Sequence, residues 1–557
     1  MGSNSGSRSW EPSRSWAWVL LVSLSLPFYL GLGGWSLLDW DEINFAESAR
    51  EMLESGDYTS VQVNYQPFYE KPPVFMWLQA ASMRIFGVGE RSARLPNALL
   101  GTLYLLTLYA VGTRWVSPGF GLLWALLLWA TLLPHAYFKS GIIDPLFNYE
   151  ILLSIFFGVG ACTDALQGRS PAGKGLAAGL ASGFAVLTKG PVGFLLWGLV
   201  MGLWLFQRRA WTPMIWQGLI WFVFGCLVPV GLWVGLEWYA RGSEQLLLFW
   251  QYMVSLFRTG VAGHEQPFYY HALVLLVGCF PAMAFAVPFL FRSLRSLPGN
   301  QGAVPLLQAM QVLFWVVLIL FSLSTTKIIH YSSLAYVPLC ALGAAFLDLK
   351  KQEKVWPAAV VGLLGLQVVL WWGLLSLLPW AMRFRELWAH RIADSYVRAA
   401  LEAGLPWSGW ESLWVLPLPW FIYRGWKVLR RGNPVQGVLW MGSGVSLLVL
   451  GLSLSFLPRI ASVTQGPAVE FYRSLQGQKV YAGTWGFKSY APFFYMKIPF
   501  QGSGTVSSMP VGEALLQVPL DRPVYLIARV DRLPDTTALP LRWVGARGGY
   551  VFYRRSR

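Results

Sequence analysis

Apolar runs of about 20 residues recur along most of this chain, each long enough to cross a hydrocarbon core of about 30 Å as a helix. A helix satisfies every backbone N–H and C=O of a lipid-facing segment within itself, which leaves few other folds open. The first run covers 16–38. The others fall near 94–113, 119–135, 145–162, 175–189, 191–206, 214–238, 270–291, 305–323, 332–347, 356–379, 411–424 and 436–457, about thirteen spans in all. Only 13% of the residues are charged, against about 25% in a soluble domain. That is too few for a surface facing water, so the expectation is a polytopic α-helical membrane protein.

The net charge of +16 does not point to nucleic acid, because the lysines and arginines sit in short loops between the apolar runs. Arg114, Arg169 with Lys174, Arg208 with Arg209, Arg292 with Arg295, Lys350 to Lys354, and Arg424 to Arg431 fall after every second span. Such loops mark the cytoplasmic side. Arg8 and Arg14 put the N-terminus there too, and an odd number of spans puts the C-terminus outside. The run 16–38 is too long for a signal-peptide core and has no clear small-residue cleavage site, so it reads as an uncleaved span. Cys162, Cys226, Cys279 and Cys340 lie far apart, in or beside apolar runs; they read as small buried residues with no metal spacing.

The opposite side has longer loops with isolated ionisable residues close to the membrane: Asp39, Asp41, Glu42, Glu70, Lys71, Lys139, Asp144, Lys189, His264, Glu265, Lys327, His330 and Tyr331. Charges at such depth are costly and point to function by default. In the first outer loop, 39–93, Asp41 is suited to cap a helix from about 42 to 55, closed by Gly56, with Ile43, Ala46, Ala49 and Leu53 on one face. Glu47, Arg50, Glu51 and Glu54 form the polar remainder, a pattern for a helix lying in the membrane interface. A second helix starts at Pro72-Pro73 and ends at Gly87. Lys71 before its N-terminus is placed either to hold a phosphate or to pair with lipid headgroups. Asp144, before Pro145, is either a helix cap or a working carboxylate.

From about Pro458 the pattern changes to a helix over 464–476 and strand-like runs at 479–482, 493–498, 524–530 and 550–553. This divides the chain into a transmembrane unit, 1–457, and a small α/β domain, 458–557, outside the membrane. Two function classes fit a polar cavity among helices: an enzyme working at the membrane surface, and a transporter or flippase. The halves show no repeat and the polar groups gather on one face, which favours the first. No GxGxxG opens a helix after a strand and no GxxxxGK[ST] occurs, which argues against a nucleotide.

Segments DEINFAESAREM (41–52), YEKPPVFMWL (69–78), FGVGERSARLPNAL (86–99), SGIIDPLFNYE (140–150), AVLTKGPVGF (185–194), GHEQPFYYH (263–271) and STTKIIHYSSLAYVPL (324–339) occur in the order found in lipid-linked-sugar glycosyltransferases of the GT-C fold. The chain resembles the bacterial aminoarabinose (lipid A) transferases and the protein O-mannosyltransferase superfamily. YEKPP, with DE before it and RLP after it, is the most specific element. The resemblance implies thirteen spans, a periplasmic C-terminal domain, a bacterial inner-membrane location, and a monomer using a polyprenyl-phosphate sugar donor and a lipid or glycan acceptor. It assigns Asp41 and Asp144 to catalysis. Lys71, Tyr331, Lys327 and His330 fall to the donor phosphate, Glu70 and His264 to a divalent metal, and Glu42 and Lys189 to the cavity. Two departures bear on specificity. The proline that follows the HY pair in many relatives is missing, and Ile43, Asn44 and Phe45 stand where aminoarabinose transferases often carry Arg and Tyr. Aminoarabinose therefore does not follow as the sugar.

The chemistry implied is displacement of polyprenyl phosphate with inversion at the sugar. Lys71 would stabilise the charge developing on the leaving phosphate. A hydroxyl acceptor would need a base, for which Asp41 is placed. A phosphate acceptor, with a second pKa of about 6, would already be ionised.

Overall fold

The computed structural model describes residues 14–258, 266–294, 302–352, 355–499, 512–516, 522–536 and 539–555. Among them, seven helices are long and apolar enough to cross a membrane: Glu90–Trp115, Asp144–Leu166, Pro213–Arg241, Val304–Leu323, Ile329–Leu349, Ala358–Arg383 and Pro434–Thr464. Shorter apolar helices, among them Ser15–Phe28, Pro118–Trp129 and Val192–Arg208, stand with them. Several runs that read as continuous are broken: 16–38 is helical only through Phe28, and 411–424 divides into Trp410–Trp414 and Leu418–Leu429. Residues 119–135 divide into Pro118–Trp129 and Leu132–Tyr137, and 270–291 into Tyr270–Gly278 and Ala282–Leu290. These last two breaks satisfy each other: the Leu132 N–H freed by the first donates to the Phe280 carbonyl freed beside Pro281, at 2.9 Å.

Helix Ala172–Lys189 lies backbone to backbone against Pro213–Arg241. Gly175, Gly179 and Gly183 form the seam, and a Cβ on Gly179 would overlap the Phe222 carbonyl oxygen. In lipid, where apolar surface gains little from burial, such small-residue spacing lets two helices approach closely enough for dispersion to hold them.

The first outer loop folds largely as its spacing predicts. Helix Asp41–Ser55 ends at Gly56, with φ 73°, and helix Val74–Phe86 follows Pro73. A two-residue turn at Asn64-Tyr65, with φ 59° and 55°, joins the short strands Gln62–Val63 and Gln66–Pro67. Two expectations fail. Asp41 is the first helical residue and makes no cap, as does Asp144 in its own helix. The polar face of the first helix is also mostly dry: Glu47, Arg50 and Glu51 are buried, and of the four polar residues Glu54 alone is exposed. Glu47 pairs with Arg50 at 2.7 Å, and Glu51 accepts the Tyr65 N–H at 2.8 Å. The C-terminal region covers them, with the Tyr65 hydroxyl donating to the Ile498 carbonyl at 2.8 Å.

Burial, then the neighbouring Glu47, pushes the Glu51 carboxyl up to about 9. Folding therefore takes up a proton at this site, and the stability it contributes is full below pH 4.5 and falls as pH rises toward 9. Glu51→Gln, which can keep the hydrogen bond from the Tyr65 N–H and cannot ionise, is expected to raise the melting temperature in detergent at pH 8 and leave it unchanged at pH 4. An equal shift at both pH values would remove the ionisation argument.

The last long helix does not break at 457. It passes through a π turn at Leu452–Phe456 and runs to Thr464. Helix Gly466–Ser474 follows, then a four-stranded sheet in the order Tyr481–Trp485, Val524–Arg529, Tyr550–Arg555, Leu541–Arg547. The first pair is parallel and the others antiparallel. The strand expected at 493–498 is instead mostly the helix Ala491–Met496, whose six residues are all buried. A short apolar run carries no period that separates the two, and Pro492 in the first turn favours the helix. Strand Leu541–Arg547 escaped the sequence reading.

Candidate active site

Several of the residues singled out from sequence meet where helix ends adjoin. Asp41 opens the first loop helix, and Asp144 opens the helix Asp144–Leu166. His330 lies on the 3-10 turn Ile329–Ala335 and stands between them, its Nε2 3.5 Å from Asp41 Oδ2 and 4.0 Å from Asp144 Oδ2. Lys189, the last residue of its helix, donates to Asp144 Oδ1 at 2.5 Å. Gly190, with φ 88°, turns the chain away directly after it. A lysine in a last turn also faces the negative end of the helix dipole. The Lys189 ammonium is 5.3 Å from the centre of the Tyr331 ring, which packs against His330.

Lys71 is half-buried just before helix Val74–Phe86, within electrostatic reach of Asp41, Asp144 and Lys189. Burial pushes its ammonium below the ordinary lysine range and Lys189 acts in the same direction, while Glu70, Asp41 and Asp144 oppose them. Two ammonium groups that disfavour each other gain from an anion placed between them. Glu70 shares a hydrogen bond with Tyr252, on helix Ser243–Arg258. That helix was not foreseen from the sequence. Arg241 holds its start to the first loop, pairing with Asp57 and donating to Thr59 Oγ1 at 2.8 Å.

Two residues take other parts. Glu42 lines the cavity but is occupied: it accepts from Arg94 at 2.7 and 3.0 Å, from Leu38 N at 2.8 Å and from Gly141 N at 2.5 Å. Burial alone would raise its pKa, yet Arg94 and these N–H groups hold it below the usual carboxylate range. Lys327 donates to the Ser324 carbonyl at 2.6 Å and lies within electrostatic reach of His271. His264 lies outside the described residues. Among those described, no group of three or more His, Cys, Asp or Glu side chains is placed to hold a metal ion, so the metal expectation rests on Glu70 alone.

Beside Asp41 and His330 opens a cavity of about 710 Å³, walled by Trp40, Tyr137, Ser140, Leu452 and Leu457 among others. Asp39 lines it as well; burial pushes its carboxyl up to about 6, against hydrogen bonds from Ser489 and the Tyr490 N–H. The C-terminal region thus forms part of the site's rim. Leu37 N donates to the Tyr495 hydroxyl at 2.7 Å, and Trp40 Nε1 to the Lys488 carbonyl at 3.2 Å. Arg94 was missed as a functional residue. The one signal was the RLP element in a loop otherwise read for its carboxylates.

Residues 70–233 match the family described as dolichyl-phosphate-mannose-protein mannosyltransferase. The chain is 26% identical over 390 residues to the undecaprenyl phosphate-alpha-4-amino-4-deoxy-L-arabinose arabinosyl transferase of Edwardsiella ictaluri, covering 67% of this chain and 68% of that one. With an arabinosyl transferase of the same description from Pseudomonas fluorescens it shares 25% identity over 469 residues, 82% of this chain and 78% of that one. The crystal structure of ArnT from Cupriavidus metallidurans bound to undecaprenyl phosphate superposes with a TM-score of 0.74 at 20% identity, over 98% of this chain and 99% of that one. The chain thus has the GT-C fold of that transferase along nearly its whole length, and in sequence it is similar to the aminoarabinosyl transferases and the dolichyl-phosphate-mannose mannosyltransferase family.

Proposed function

We propose that this protein is an integral membrane glycosyltransferase that moves a sugar from a polyprenyl-phosphate carrier to an acceptor at the membrane surface. The observation that carries this reading is the meeting of Asp41 and Asp144 around His330, with Lys189 and Lys71 in reach, beside a cavity large enough for a saccharide. The relatives it resembles act on undecaprenyl-phosphate sugars by name, and the ArnT structure holds undecaprenyl phosphate. In this reading about thirteen spans run with the N-terminus in the bacterial cytoplasm. The site and residues 458–557 then face the periplasm, and the chain works as a monomer.

Asp41 takes the acceptor's proton, or orients an acceptor already ionised. Lys71 and Lys189 receive the charge that gathers on the leaving phosphate, with Tyr331 closing the wall beside them. Asp144 holds Lys189 in place and, with Asp41, fixes His330. Lys327 serves the same pole only if it turns from Ser324. The donor is lipid-borne, no nucleotide is used, and direct displacement inverts the anomeric carbon.

The test is release of free polyprenyl phosphate from a polyprenyl-phosphate sugar by the purified protein in lipid vesicles. Lys71→Gln is expected to slow release by about 10²- to 10³-fold, the usual loss for one donor to a developing oxyanion. Movement of intact donor across the bilayer without cleavage would instead make the protein a flippase. A product that retains the donor's anomeric configuration would rule out direct displacement.

A further inference from the structure

The cavity beside Asp41 differs in character from the lysine pole. Asp39, Asp41 and Glu42 line it, and neither Lys71 nor Lys189 is among its lining residues. Its own cation, Lys139, is buried and committed, donating to the Pro27 carbonyl at 2.7 Å and to the Leu30 carbonyl at the end of the first helix. Glu42 is spent on Arg94, and His330, which also lines the cavity, is held between Asp41 and Asp144, so the carboxylates of Asp39 and Asp41 are the charged groups left facing an occupant. Lys488, which offsets Asp39 from above the Trp40 ring, is not part of the lining. The side chain of Asp41 is 40% exposed. Trp40 is 45% exposed along the same wall, and Tyr137, Leu452 and Leu457 continue it as an apolar surface.

A phosphate brought into this cavity would meet two carboxylates with no uncommitted lining cation, an arrangement that repels it. A sugar would meet acceptors for its hydroxyls in Asp39 and Asp41, and an aromatic plane for its apolar C–H face. We propose that the cavity binds the acceptor as a non-phosphorylated saccharide, and that the sugar is transferred to one of its hydroxyls and not to a phosphate. This rests on the transferase reading above.

In the step, the acceptor's hydroxyl oxygen bonds to the anomeric carbon of the donor while the bond from that carbon to the phosphate oxygen breaks. The hydroxyl proton passes to the Asp41 carboxylate. The bonding pair leaves with polyprenyl phosphate, beside Lys71 and Lys189. A hydroxyl acceptor is also the kind that needs a carboxylate at this position, since an ionised phosphate has no proton to give up.

The experiment measures equilibrium binding of two radiolabelled probes, dodecyl glucoside and dodecyl glucoside 6-phosphate, to the full chain in vesicles without donor. The native chain is expected to bind the neutral probe at least tenfold more tightly. Asp39→Asn is expected to weaken the neutral probe and narrow that preference by about tenfold, the effect of losing one charged hydrogen-bond acceptor and one repulsive charge. Equal or tighter binding of the phosphorylated probe by the native chain would overturn the assignment, as would failure to bind either. The native-chain comparison stands even if the variant fails to fold. Donor cleavage is read separately, so a preference for the neutral probe without any polyprenyl phosphate release would sink the transferase reading and leave the cavity's ligand class in place.

Discussion

Asp41→Asn is expected to lower sugar transfer in vesicles by about 10²- to 10⁴-fold, the range contributed by a positioned general base. Asparagine keeps the size and the polarity of the side chain. It loses the negative charge that faces His330 at 3.5 Å and the ability to take a proton. Because Asp41 makes no helix cap, the helix it opens should form as before, and the melting temperature should barely move. The loss should fall on the rate and not on donor binding, which the lysine pole carries. A variant that binds donor poorly but turns it over at the native rate would move Asp41 out of the chemistry.

Arg94→Met should produce the largest loss of stability of any single change at the site. Arg94 is fully buried. Its guanidinium donates twice to Glu42 and also to the carbonyls of Leu32 at 2.8 Å, Trp35 at 3.0 Å and Ser36 at 3.1 Å, and lies 4.3 Å from the Trp35 ring centre. Removing it strands the Glu42 carboxylate, a loss of about 3–5 kcal/mol for a broken buried pair. It also frees the segment that delivers Asp39 and Asp41 to the cavity. The measurement is thermal unfolding in detergent, with Glu42→Gln combined with Arg94→Met as the second variant. The double change should recover part of the loss, because the stranded charge is gone. A single variant as stable as the native chain would mean that water reaches Glu42 and the pair matters little.

Sequence pattern made the helical architecture legible because lipid leaves the backbone few choices. The candidate cluster was legible for a related reason: Asp41, Lys71, Asp144, Lys189, His330 and Tyr331 are polar where polarity is costly, so each stood out before its neighbours were known. What pattern could not supply was the partner of each charge. Glu42 and Asp41 are adjacent and look alike, yet one is neutralised by Arg94, 52 positions away, and the other faces the cavity. Lys327 matched the phosphate-binding motif and donates to the backbone three residues back. Glu47, Arg50 and Glu51 kept helical spacing but lost their solvent, because the covering segment near Ile498 lies over 400 residues away. Ala491–Met496 read as a strand for a local reason, since so short an apolar run carries no period that separates strand from helix.

The glycine seam between helices Ala172–Lys189 and Pro213–Arg241 has a mechanical consequence. Its two backbones touch with no side chain between them, so there is no rotamer to flip and little room to slide. Lys189 stands at the end of that seam as a fixed electrode, its height set by main-chain contact. Lys71 is carried on a loop between two short elements and forms the adjustable one. Any narrowing of the gap between the two ammonium groups around a bound phosphate must therefore come from the Lys71 side. That travel is limited by the Arg241–Asp57 tether, which ties the first loop to the same end of the rigid pair, since the two helices run parallel.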